Sequence, residues 1–72
     1  MVMEKQTVYT LGVAKKFAPH QIHEMMQKGL EMLGQPDAED SEFFKLRVVN
    51  EEPKVWCIED GQAITLLLPE EY

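Results

Sequence analysis

The sequence has little of what disulfide-bonded, secreted or membrane-spanning proteins need. It contains one cysteine, Cys57, so no disulfide can form within the chain. A short chain without disulfides is typical of a reducing compartment. No apolar block of the kind found in signal peptides follows the first residues, and the apolar run around Leu66–Leu67 is too short to cross a bilayer. These absences predict a cytoplasmic protein.

Basic residues are also few. Seven lysines and arginines stand against thirteen aspartates and glutamates, which gives a net charge of −6. A negative chain is repelled by phosphate backbones and by anionic membranes. We therefore expect neither a nucleic acid nor a membrane as partner.

The chain is short but has the composition of a folded domain. Its 72 residues leave room for one hydrophobic core, which predicts a single domain over residues 1–72. Apolar residues make up 44% and charged residues 28%, a balance far from that of disordered chains. A domain of this size buries only about 60% of the surface of its unfolded chain, so self-association would help to stabilise it.

The pattern of apolar residues predicts one helix and four strands in the order β-α-β-β-β. The predicted strands are 7–13, 43–49, Lys54–Glu59 and 62–68, the helix is Pro19–Leu33, and the acidic segment 35–42 is a loop. We expect an α+β fold in which a mainly antiparallel sheet carries the helix on one face.

The helix is indicated both by its periodicity and by its ends. Apolar residues recur at helical spacing from Ile22 to Leu33, with Pro19 at the first position and Gly34 just past the last. Gly29 lies in the middle, where glycine costs about 1 kcal/mol relative to alanine. We interpret Gly29 as a point where the helix closely approaches another backbone.

The faces of the last three strands follow from alternation and from the turns. Phe44, Leu46 and Val48 alternate along 43–49 and are expected to face the helix. Asp60 and Gly61 predict a hairpin between the last two strands. A two-residue loop would put Val55, Cys57, Ile64 and Leu66 on one face, whereas a three-residue loop would align Trp56 and Ile58 with Ile64 and Leu66.

Either hairpin register leaves apolar side chains on both faces of the sheet, and one helix cannot cover both. The predicted core is Tyr9, Leu11, Val13, Ile22, Met26, Leu30, Leu33, Phe44, Leu46, Val48, Ile64 and Leu66. The far face would then expose an apolar patch, which is typical of partner surfaces. The candidate partner-binding residues are Phe43, Val49, Trp56, Ile58 and Leu67.

Residues that could carry chemistry are sparse. His20 and His23 lie three apart on the helix, but a zinc site needs further ligands that the chain does not offer. Cys57 lies in an apolar strand with no histidine near it in sequence, so it is interpreted as a buried structural cysteine. No phosphate-binding glycine loop or serine nucleophile motif is present. We expect no catalytic residue, no metal site and no cofactor.

The leading hypothesis is therefore a non-enzymatic protein-binding or regulatory module that uses the apolar second face. The alternative is a homodimeric structural protein whose sheets pack face to face or edge to edge. A metal-binding protein or enzyme built on His20, His23 and Cys57 is the third class.

The aromatic strand with Phe43, Phe44 and Leu46 and the ending with Gln62, Ile64, Pro69, Glu70 and Tyr72 resemble a family of small uncharacterised proteins of Gram-positive bacteria and their phages. The resemblance implies a small α+β fold and an accessory role in a phage or mobile element. It implies no catalytic residue.

Overall fold

The computed structural model describes residues 6–38, 40–41 and 44–72, and these form a small α+β domain. Strand β1 is Gln6–Tyr9, helix α1 is Leu11–Lys16 and helix α2 is Pro19–Leu33. Strands β2, β3 and β4 are Lys45–Glu51, Lys54–Glu59 and Ala63–Leu67, and a 3-10 turn follows at Pro69–Glu71. The predicted α+β class is confirmed, with α1 and the 3-10 turn as additional elements.

The four strands form one mixed sheet in the order β1-β4-β3-β2. The pairs β2–β3 and β3–β4 are antiparallel, as consecutive strands joined by tight turns must be. β1 pairs with β4 in parallel, because the two helices carry the chain across the sheet before β2 begins. β1 and β2 are the two edges.

The first predicted strand is too long, because the chain turns into α1 after Tyr9. Thr10 caps this helix: its hydroxyl accepts a hydrogen bond from the Val13 amide at 3.3 Å. Lys15 and Lys16 occupy the last turn, where positive charge is favourable. Val13 is the buried residue of α1, so the short helix is fixed to the core at one point.

Helix α2 has the predicted bounds and packs against β2 and β3. Its N-terminus has Pro19 at the first position, and the Ala18 amide donates to the Gln21 side chain at 2.8 Å. A Cβ atom placed on Gly29 would lie 2.6 Å from Cys57 Sγ and 3.3 Å from Val49 Cγ1. Gly29 is thus a point of close approach, to side chains of the sheet and not to a backbone.

The hairpin between β3 and β4 has the faces predicted for the two-residue loop, although its pairs are shifted and four residues, 60–63, lie between the last paired residues Glu59 and Ile64. Cys57 lies opposite Leu66, and Glu59 lies opposite Ile64, so the side chains of Cys57, Ile64 and Leu66 share the face that the helices cover. The Asp60 carboxylate holds the turn by accepting from the amides of Gln62 and Ala63 at 2.8 Å each.

The predicted core is correct for six of its twelve residues, which lie in the helices and β4. Val13, Ile22, Met26, Leu33, Ile64 and Leu66 are buried. Tyr9, Leu11 and Leu30 are 54%, 70% and 37% exposed, the first because β1 is an edge strand and the second because α1 begins there. The remaining three, Phe44, Leu46 and Val48, are half-buried away from the helices.

A buried arginine explains the error in β2. Arg47 lies opposite Cys57, which contacts the helix layer, so Arg47 and Val49 face α2 while Leu46 and Val48 face away; a β-bulge follows between Val48 and Asn50. Alternation alone assigns the apolar set Phe44, Leu46 and Val48 to the helix side, because it treats Arg47 as a surface residue. Arg47 is in fact only 7% exposed.

Candidate functional site

The apolar side chains that point away from the helices form a surface that we call the second face. Val48 lies opposite Trp56, which lies opposite Leu67, and Leu46 lies opposite Ile58, which lies opposite Thr65. These side chains alternate with Cys57 and Leu66, which contact the helix layer, so they project from the other side of the sheet. The second face consists of Leu46, Val48, Trp56, Ile58, Thr65 and Leu67.

Exposure is uneven across the second face. Ile58 and Leu67, in the two central strands, are 7% and 8% exposed. Leu46, Val48 and Trp56 are half-buried. None of the six residues carries a charge, although Glu51 and Lys54 flank the face at the β2–β3 turn. The surface therefore has an apolar centre and a charged end, which is the usual composition of a protein–protein interface.

Among the described residues, the aromatic ring of Tyr72 packs over the second face. The ring lies edge-on to Trp56 with centroids 5.8 Å apart, and edge-on to Phe44 with centroids 6.5 Å apart. Such geometries are favoured because the positive ring edge meets the negative ring face. Tyr72 itself is 74% exposed, so it covers Trp56 without being enclosed.

The Tyr72 ring is held in place by its neighbour Glu71. The Glu71 carboxylate accepts hydrogen bonds from the Thr10 hydroxyl at 2.6 Å and from the Leu68 amide at 2.9 Å. These hydrogen bonds, the Thr10 one above all, hold the pKa of Glu71 below its usual range. Gly12 leaves the room that this requires, because a Cβ there would lie 2.5 Å from Glu71 Oε2.

The structure places three of the five predicted partner-binding residues together. Trp56, Ile58 and Leu67 are neighbours on the second face. Val49 is not part of it: like Arg47 it faces α2, where it is 2% exposed, so its assignment to a partner surface is wrong. Phe43 lies outside the described residues.

Sequence reasoning missed Leu46, Val48 and Thr65 as members of the second face. The first two are assigned to the helix side because they alternate with Lys45 and Arg47, and a charged side chain is normally expected in solvent. No local signal marks the exchange of faces, since Arg47 is buried by acceptors from other segments.

The residues considered for catalysis or metal binding are not brought together. His20 and His23 are exposed on α2, and no group of three His, Cys, Asp or Glu side chains in the described residues could hold a metal ion. Cys57 is 0% exposed, and burial raises the pKa of its thiol to about 11, with the Glu59 charge acting in the same direction. A thiol with this pKa is protonated near neutral pH and is a poor nucleophile.

The most elaborate polar arrangement in the described residues is that of Arg47, and it is structural. Nη1 and Nη2 bind the two Asp40 carboxylate oxygens at 2.7 Å each. The guanidinium also donates to three backbone carbonyls, those of Met32, Gln35 and Leu46. All five N–H donors of the guanidinium are therefore used, which leaves none for an anionic ligand.

The cavities are small for a ligand site. One of about 250 Å³ lies between α2 and β2, with Phe17, Met25 and Val49 in its walls. A second of about 210 Å³ adjoins Arg47 and Phe44. Pockets for drug-sized ligands have volumes of roughly 300–1,000 Å³. The second face is therefore the better candidate site.

Comparison with known proteins adds no relative. No family model, curated protein or solved structure matches the chain. The resemblance to the small bacterial and phage proteins thus stays a prediction. No helix in the described part of the chain is long and apolar enough to cross a bilayer.

Proposed function

We propose that this chain is a non-enzymatic protein-binding or regulatory module whose partner packs on the second face, with Trp56 at the centre of contact. The observation that carries the proposal is an uncharged apolar sheet face over which the described residues place one aromatic ring, that of Tyr72. Leu46, Val48 and Trp56 leave part of this face accessible to solvent, and contiguous apolar surface that water reaches is typical of sites where a partner packs.

The chemistry of the face supports this use. Tryptophan is among the residues that contribute most to binding energy at interfaces, where it fills a pocket of the partner. Trp56 is half-buried and fixed by its strand neighbours, so little side-chain freedom is lost on binding. The partner that fits is a protein with an apolar, uncharged contact surface. The cytoplasmic location that we propose is supported by the single free cysteine, Cys57.

Two matched lysine variants test the proposal by affinity capture from the native lysate. Val48→Lys puts a charge on the second face, and Leu30→Lys puts the same charge on α2, on the other side of the sheet. We expect one specific protein to be retained by the unmodified chain and by Leu30→Lys and to be lost with Val48→Lys. Equal capture by both variants would contradict the proposal.

Trp56 supplies a second readout because it is the only tryptophan in the chain. Its fluorescence emission is expected to shift to shorter wavelength when the purified partner is added, since binding removes water from the indole. Binding without any change in emission would place the contact elsewhere on the chain.

A homodimer that shares the second face is the second candidate. The observation that favours it is the absence of charge on the face, which lets two copies of a chain with net charge −6 meet there without a facing pair of carboxylates. Light scattering tests it: a dimer mass together with a concentration-dependent blue shift of Trp56 supports the shared face, and the mass of a single chain at all micromolar concentrations excludes it.

A further inference from the structure

The two edges of the sheet differ in how they are protected. Edge strands expose backbone donors and acceptors, and proteins protect them with charges, prolines or bulges. β2 carries Lys45, Arg47 and Glu51 and contains the bulge after Val48. β1 has none of these features: its sequence is Gln-Thr-Val-Tyr, and its pairing with β4 is regular.

The charge pattern of β1 is that of an interior strand. The two longest stretches of the sequence without a charged residue are 6–14 and 61–69, nine residues each. The second contains β4, which has a neighbouring strand on both sides. The first contains β1, which has a neighbour on one side in the described structure. β1 thus has the uncharged composition of the interior strand β4, although it lies at an edge of the described sheet.

Apolar exposure is concentrated at the same edge. Five large hydrophobic residues of the described chain are exposed, and three of them are Val8, Tyr9 and Leu11, in or beside β1. All four residues of β1 are exposed. The unpaired backbone edge, the absence of charged residues and the exposed apolar side chains are therefore all found at the same strand, β1.

We propose that β1 is a dimerisation edge, which binds β1 of a second copy of this chain antiparallel about a twofold axis normal to the sheet and centred on Val8. Such an axis pairs Val8 with itself and Thr7 with Tyr9 of the second copy. Pairs between β-branched residues, or between a β-branched and an aromatic residue, are stabilising across strands. The two four-stranded sheets become one continuous sheet.

A second copy fits this edge better than a charged partner. The chain has a net charge of −6, and self-association is least opposed by repulsion where no charged side chain lies, as along 6–14. Twofold dimers are also the commonest homo-oligomers, because one self-complementary patch is used twice. The Val8 side chain projects from the second face beside Thr65, but β3 with Trp56 lies two strands away from β1, so the emission of Trp56 separates an edge contact from a contact on the second face.

A charge-swap experiment tests the edge and its register. Val8 is 38% exposed, so Val8→Lys and Val8→Glu are both compatible with the folded chain. Each variant alone places two like charges directly opposite, and we expect its dissociation constant to rise at least about tenfold. The equimolar mixture places opposite charges there, and we expect the heterodimer to form again. Sedimentation equilibrium measures all three.

Leu30→Lys is the matched control, because Leu30 is 37% exposed and lies on α2, away from β1. It is expected to dimerise like the unmodified chain. A single-chain mass of 8.3 kDa for the unmodified protein throughout the micromolar range would overturn the proposal. So would equal dissociation constants for Val8→Lys and Leu30→Lys, or a Val8→Lys and Val8→Glu mixture that stays monomeric.

Hydrogen exchange of the unmodified chain provides a readout that needs no variant. The β1 amides are expected to exchange more slowly as concentration rises from low to high micromolar, while β2 amides do not change. A dimer with unchanged β1 exchange would place the contact elsewhere. A blue shift of Trp56 on dimerisation would assign that dimer to the second face, because the β1 edge leaves Trp56 uncovered.

Discussion

The two faces of the sheet are covered in different ways. On one face α2 lies directly on the strands. The approach is so close that a side chain at position 29 would collide with Cys57, and Gly29 has none. On the other face, among the described residues, the ring of Tyr72 packs edge-on to Trp56. Trp56, Leu46 and Val48 remain half-buried there. The difference supports the proposal that the helix layer accounts for most of the stability and that the second face serves recognition. Four predictions test that division.

The largest effect is expected at Leu66, which is 0% exposed under the helix layer. Leu66→Ala should cost about 2–5 kcal/mol, because it leaves a cavity between two packed layers. Leu67→Ala, one residue along the same strand but on the second face, should cost less than about half of that. Few side chains lie over this face, so they can move into the cavity and reduce its cost. Urea unfolding measures both, and equal losses would contradict the comparison.

A second effect concerns the close contact at Gly29. Gly29→Ala forces its Cβ into the space of Cys57 Sγ, and the overpacking should cost about 1–3 kcal/mol. A gain of about 1 kcal/mol in helix propensity partly offsets this cost.

The double variant Gly29→Ala, Cys57→Ala isolates the contact. With the sulfur removed, Gly29→Ala should cost less than it does in the unmodified chain. An unchanged cost would mean that the sulfur does not limit the approach of α2 to the sheet.

The third prediction concerns Arg47, whose charged side chain is the one buried on the helix-covered face among the residues that the structure describes. Its hydrogen bonds hold the pKa of Asp40 below its usual range. The stability that Asp40 contributes is therefore present above the pKa of the unfolded chain, about 3.9, and is lost as pH falls through the lower folded value.

Asp40→Asn should lower the urea midpoint at neutral pH, by less than Leu66→Ala does. The difference from the unmodified chain should shrink below about pH 4. Glu24→Gln, at an exposed carboxylate on α2, is the control and should show a smaller difference at neutral pH. A difference for Asp40→Asn that persists undiminished into acid would show that the carboxylate charge is not what stabilises.

The smallest effect on stability is expected at the cover of the second face. Tyr72→Ala removes the edge-on contact with Trp56 and should cost about 1 kcal/mol or less, because Tyr72 is largely exposed. The emission of Trp56 should shift to longer wavelength. Tyr9→Ala, at low concentration, is the control and should leave the emission unchanged. A large loss of stability in Tyr72→Ala would mean that the ring is part of the core.

The errors made from sequence are instructive because each has a physical cause. The first half of α1, residues 11–13, was assigned to a strand, although Thr10 as a cap and the lysine pair in the last turn were visible signals. Arg47 was placed on the surface, because its burial depends on five acceptors brought from Asp40, from the end of α2 and from its own strand. Such acceptors cannot be identified before the chain is folded.

The candidate site was predicted in part. Trp56, Ile58 and Leu67 were found because any register leaves apolar residues on both faces of the hairpin. Leu46 and Val48 were placed on the wrong face because Arg47, on the opposite face, is buried, and Val49 was exchanged with them for the same reason. The contact of Tyr72 with Trp56 joins residues far apart in the chain, and no local pattern encodes it.

The sequence by itself determined α2, from Pro19 to Leu33, and β3, from Lys54 to Glu59, because helical periodicity, a starting proline and a turn pair are local signals. It also determined that two apolar faces would exist. Only the tertiary structure decided which residues lie on each face and that β1 lies beside β4 in parallel. It also decided that the buried Arg47 donates a hydrogen bond to the Met32 carbonyl at the end of α2. Those features depend on contacts between distant segments, and one buried arginine is enough to exchange the expected faces of a strand.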